Sequence, residues 1–228
     1  MIIHNLKKYI LLACILLGLV THSRAEGNLP YVDQKLIHFG FLLGINSMDF
    51  TVSPNQNARI SILKPGFSVG IISDLRLSRY LNLRFTPTLH FGERELNYPF
   101  KAGSDTASSV SISSIPICMP IFLKYSAERK GNYRPYLIAG VGVSYDLATA
   151  ANADNPILLK PFDVYTEFGV GCDIYFSFFK LAPELKYSIG FNDMLTHQRV
   201  GLSPKDEIYT KLLSRLTSRV ITLSFNFE

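Results

Sequence analysis

The stretch IHFGFLLGINSMDF, Ile37 to Phe50, puts an apolar side chain at every second position through Phe39, Phe41, Leu43 and Ile45, with Gly40 and Gly44 between them. Successive side chains of a β-strand point to opposite faces, so this spacing predicts a strand with one continuous apolar face. The other face carries His38, Gly40, Leu42, Gly44 and Asn46. A soluble sandwich puts bulk inward and charge outward, whereas a membrane barrel sets apolar residues against lipid and keeps a tight polar lumen. One strand is compatible with both.

Seven further segments repeat the pattern. They begin near Gly66, Leu81, Ile115, Leu137, Asp163, Phe179 and Ile221, and the clearest sets Leu81, Leu83, Phe85, Leu89 and Phe91 against Asn82, Arg84, Thr86, Thr88 and His90. Their second faces hold Asp74, Arg84, Lys124, Asp163, Glu167, Asp173, Lys180, Glu184 and Lys186, interleaved with glycines. A solvated strand face gains nothing from glycine, but the inside of a small closed barrel is crowded and needs small residues. Connections alternate in length. Those over 47–65, 93–114, 146–162 and 192–220 are long, and those over 78–80, 126–136 and 175–178 are shorter. Long outer loops, short periplasmic turns and an even strand count define a bacterial membrane barrel. The expectation is an all-β, eight-stranded antiparallel transmembrane β-barrel. Pro87, Pro116, Pro120 and Pro183 fall inside proposed strands, where bulges or strand ends are expected. Tyr80, Tyr98, Tyr125, Tyr136 and Tyr145 lie near strand ends, as an interfacial girdle requires.

Lys7 and Lys8 precede an apolar run from Tyr9 to Val20, and Ser23-Arg24-Ala25 supplies the small residues read before cleavage. This predicts a secretory signal over 1–25 with cleavage between Ala25 and Glu26, a periplasmic segment over 26–35 and a barrel domain over 36–228. The run is too short to span a bilayer as a helix. The whole chain has 23 basic and 18 acidic residues, and without Lys7, Lys8 and Arg24 the net charge falls to +2. No long basic run occurs, so no nucleic-acid partner is expected. Strand parity places Cys118 and Cys172 on opposite faces of the sheet, so a disulfide between them is not expected.

No GxSxG or HExxH spacing is present, and the glycine pairs precede no helix, so the residues point to no cofactor, metal or catalytic set. His38, His90 and His197 keep open the alternative of a lipid-modifying rim enzyme. Arg84, on a polar face, needs partners inside a closed lumen; Glu167 and Glu184 are the expected ones, with Lys186 beside them. Side chains fill an eight-stranded interior, which argues against a pore. In the last long loop, Ser203-Pro204-Lys205-Asp206 supplies helix-start signals, and Ile208, Leu212 and Leu216 line one face at spacing four. They predict a short amphipathic helix on the rim, either structural or partner-facing.

Several stretches together resemble the PorT proteins of Bacteroidetes. These are His38–Phe41 through Asn46, Met48-Asp49-Phe50, Gly66–Gly70, Asp74–Leu77, Tyr80–Leu89, Pro183–Ser188 and Leu216 to Glu228. The resemblance covers most of the chain after residue 25. It implies an outer-membrane barrel required for type IX secretion of proteases and adhesins, while the even strand count predicts both termini in the periplasm. It also implies contact with outer-membrane lipid and with other secretion components, and it supplies no catalytic residues. A small surface adhesion barrel is the remaining alternative.

Overall fold

A computed structural model of the chain describes residue 29 and residues 32–53, 59–60, 64–98, 108–149, 159–196 and 215–228. Eight antiparallel strands follow in chain order: β1 (Ile37–Ser53), β2 (Pro65–Arg76), β3 (Leu81–Phe85 and Thr88–Tyr98), β4 (Ser108–Ser114 and Pro116–Ser126), β5 (Tyr133–Asp146), β6 (Phe162–Tyr175), β7 (Lys180–Gly190) and β8 (Arg215–Phe227). A two-residue piece, Arg59–Ile60, pairs with the far end of β3. Each strand pairs with its sequence neighbours, and β8 returns to β1 from Phe41↔Phe227 to Ser53↔Arg215. The sheet is closed.

The pairing register fixes the barrel's geometry. A row of partners runs from Phe39 through Ser73, Phe85, Ile121, Val141, Thr166, Ile189 and Arg219 and re-enters β1 at Asp49. One circuit therefore climbs ten residues along β1, a shear of ten. With a rise of about 3.4 Å per residue and a strand spacing of about 4.8 Å, this shear tilts eight strands by about 40°. The ten-residue step spans about 25 Å along the barrel axis, the height of a lipid-facing apolar band.

That band is on the outside. Phe39, Phe41, Leu43 and Ile45 are exposed, while Leu42, Gly44, Asn46 and Met48 are buried, and the same alternation runs around the wall. The paired Asp49 and Arg219 end the apolar face at the long-loop end. Beyond that level β1, β3 and β4 continue with polar residues, so their strands are longer than the hydrophobic pattern alone predicts.

Of the expected bulges or strand ends, strand ends occur at Pro87, where the strand breaks between Phe85 and Thr88, and at Pro116, which opens its segment, but bulges are not found. Gly70↔Thr88 and Ser73↔Phe85 bracket Pro87 with equal residue counts on both strands. Leu181↔Ile174 and Glu184↔Gly171 do the same for Pro183, and Pro116 and Pro120 keep their places opposite Asp146 and Gly142. Each proline deletes a ladder hydrogen bond without inserting a residue. Tyr136 departs from the expected girdle: it is buried and faces the lumen, whereas Tyr125 and Tyr145 face outward. Cys118 and Cys172 are both free thiols. The proposed loop helix lies outside the described residues up to 214, so Ile208 and Leu212 have no placement here. Leu216 does have one: it is a buried residue of β8 rather than part of a helix.

Candidate functional site: the charged lumen

The inward faces of the strands build a largely polar column, interrupted beside Tyr136 by the apolar cluster of Phe122, Ile138 and Ala182. At the end nearer the termini, Arg84 is only 1 % exposed, and its guanidinium reaches Asp74 at 2.8 Å, Glu228 at 2.9 Å and Glu184 at 3.2 Å. Asp74 stands directly opposite Arg84 across the β2–β3 pairing. Glu228 follows β8 and is brought in by closure of the ring; it also binds Lys180 at 2.6 Å. Lys124 pairs with Asp173 at 2.8 Å and lies 4.0 Å from the centroid of the Tyr136 ring. The Tyr136 hydroxyl donates to Glu184 at 2.7 Å, and the Asn82 amide donates to Asp74 at 2.6 Å. Buried charges persist only when paired and hydrogen-bonded, and each charge here has such partners.

Glu184 is thus an Arg84 partner as expected, but Glu167 is not. Glu167 lies 3.6 Å from Lys186, which is also 3.6 Å from Glu184. The reason is the shear. Arg84, Phe122, Gly140 and Glu167 share one pairing row, and a row climbs about 3 Å with each strand, so Glu167 sits about 10 Å nearer the long-loop end. Asp74 and Glu228 were not anticipated. Both have a signal in inward parity, Glu228 falling two residues past Asn226 on the polar face of the last segment.

Large lumen side chains occupy the space that lumen glycines vacate. A Cβ on Gly171 would strike the Tyr136 ring, and one on Gly142 would come within 2.7 Å of the Tyr165 hydroxyl. The crowding inferred from the glycine pattern is therefore physical. Arg84, Lys124 and Tyr136 together plug the barrel.

Above this level Asn46 donates to Ser68 at 2.7 Å, and Ser68 lies 2.7 Å from Nδ1 of His90. Higher still, a cavity of about 30 Å³ is lined by His90, Arg94, Cys118, Asp163, Tyr165 and Glu167. It has room for one or two waters. The Arg94 guanidinium stacks 4.6 Å above the Phe50 ring, and Ser114 hydrogen-bonds Asp146 beside it. Among the described residues no group of His, Cys, Asp and Glu has metal-binding geometry.

The N-terminal segment packs against the terminal end of the barrel. Residues Val32–Gln34 form a 3₁₀ turn below the lumen, where His38 Nε2 lies 2.6 Å from the Val32 carbonyl. Asp33 accepts from the Tyr175 hydroxyl at 2.6 Å and pairs with Arg134 at 3.3 Å and Arg129 at 3.6 Å. This part of the expected 26–35 segment is therefore fastened to the barrel. Ala25, Glu26 and His197 lie outside the described residues.

A protein family described as an outer membrane protein beta-barrel domain matches residues 25–196. No curated relative matches the chain. Among solved structures, the neisserial surface protein A, NspA, is 10 % identical at a TM-score of 0.43, over 84 % of this chain and 98 % of its own. OprG from Pseudomonas aeruginosa is 10 % identical at 0.43, over 84 % and 91 %. The outer membrane protein AlkL is 13 % identical at 0.39, over 91 % and 92 %.

Proposed function

Because the chain belongs to the outer membrane protein β-barrel family, we propose that it serves in the outer membrane as a closed, non-enzymatic scaffold for protein secretion through the type IX system. The observation that carries the scaffold reading is the plugged lumen. Arg84, Lys124, Lys180 and Lys186 interlock with Asp74, Asp173, Glu167, Glu184 and Glu228 across the whole bore, leaving no path for cargo. A barrel that transports nothing acts through its surfaces. The secretion assignment is supported by the resemblance of Met48-Asp49-Phe50 and Arg84–Leu89 to PorT proteins. Both termini then face the periplasm, where other secretion components would meet the barrel.

A lipid-modifying enzyme is the second reading, and the Asn46–Ser68–His90 chain is the feature that favours it. Against it, Ser68 is fully buried in the lumen, away from both lipid and solvent. Deletion of the gene should leave proteases and adhesins inside the cell, and complementation with His90→Ala or Ser68→Ala should restore their export. Normal export in the deletion strain would refute the secretion role. Failure of the two point variants, with lipid A altered, would favour the enzyme.

A further inference from the structure

The three short turns at the terminal end of the barrel differ sharply in character. The β2–β3 turn carries Arg79 and the β4–β5 connection carries Glu128, Arg129 and Lys130, with Arg79 and Glu128 ion-paired at 2.5 Å. The β6–β7 turn, across the ring from the β2–β3 turn and next to the β4–β5 connection, reads Phe176-Ser177-Phe178-Phe179. It is a two-residue hairpin closed by the Phe176 N–H donating to the Phe179 carbonyl at 2.9 Å, with Phe178 at its tip 94 % exposed.

Nothing in the hairpin calls for phenylalanine. Two-residue connections favour Gly, Asn and Asp, and a turn in water gains nothing from three aromatic rings. The rings also do not stand alone. Phe176 stacks on Phe179 at 4.9 Å, Phe179 neighbours Phe227 at 6.2 Å, and Phe227 stacks on Phe41 at 4.9 Å. Phe41 and the 70 %-exposed Phe39 belong to the lipid-facing band of β1. The apolar surface therefore runs unbroken from the band down to the turn, whereas toward the β4–β5 and β2–β3 connections it gives way to arginine and lysine.

We propose that the β6–β7 turn is immersed in the phospholipid leaflet next to the chain termini, so that the barrel rides deeper on its β6–β1 side than on its β2–β5 side. The occupant of the phenylalanine surface is the boundary between headgroups and acyl chains, where aromatic rings are at home. The basic connections of the β2–β5 side remain among the headgroups and in water. The barrel axis is tilted toward the phenylalanine side as a result.

The chain contains no tryptophan, so one introduced residue reports its own surroundings. Phe178→Trp and Lys130→Trp chains, refolded into phosphatidylcholine–phosphatidylglycerol vesicles, are compared with and without brominated acyl chains. Phe178→Trp should emit to the blue of Lys130→Trp and lose more than half its intensity to bromine, while Lys130→Trp should be unaffected. Phe176→Trp gives the same reading if the tip variant does not refold, as judged by heat-modifiable gel migration. Water-like, unquenched emission from the turn would overturn the proposal and mark the phenylalanines as a docking surface for a protein.

Discussion

Arg84 holds three carboxylates from three directions at once. Replacing it with leucine leaves Asp74, Glu184 and Glu228 facing one another in the buried bore, with Lys124, Lys180 and Lys186 to share among them. Removing one partner of a buried ion pair costs about 3 to 5 kcal/mol, so Arg84→Leu should lower the urea and thermal midpoints of the purified barrel substantially. Glu167→Gln should cost about 1 kcal/mol, because Lys186 at 3.6 Å keeps Glu184 at the same distance. Equal losses in the two variants would mean that the network is not centred on Arg84. Alternation alone places Arg84 inward, where it must be paired, since parity is a local property. Its partners were not legible, because they depend on shear, which is set by how the whole ring closes.

At the scale of the strand, packing across the lumen is written in pairs of small and large residues on adjacent strands. Gly171 lies opposite Tyr136 in the β5–β6 register, and the three atoms nearest to where its Cβ would go all belong to Tyr136. Gly171→Ala should therefore destabilise the barrel by about 1 to 3 kcal/mol through overpacking. In a Tyr136→Ala background the same substitution should be nearly neutral. A thermodynamic cycle over the four proteins measures this coupling, and additive losses would show that the glycine serves some other purpose. Strand faces were legible from period two alone, and so was the crowded interior, from the glycines. The strand ends at the long-loop side were not. There Thr51, Glu93 and Ser111 carry the ladder past the lipid, where the alternation of apolar residues that marks a strand in sequence has already stopped.

For the molecule as a whole, two ends and one seam define behaviour. Purified barrel in planar bilayers should show no steady conductance, and a persistent ion current would contradict the plugged lumen. Asp33 ties the N-terminal segment to Tyr175, Arg129 and Arg134 without contributing to the wall. Asp33→Ala should accordingly speed tryptic cleavage at Lys35 while leaving heat-modifiable migration unchanged. Loss of the folded band would instead make the segment part of the barrel's own stability. The seam joins residues 41–53 to residues 215–227, so no residue of β1 can complete its pairing on that side until β8 is in place. Before then the chain is an open ribbon with two sticky edges and half-neutralised charges, prone to join other chains edge to edge. Assembly is therefore all-or-nothing and last-come: the final strand is the closing stitch, and a chain interrupted anywhere before it has no smaller barrel to fall back on.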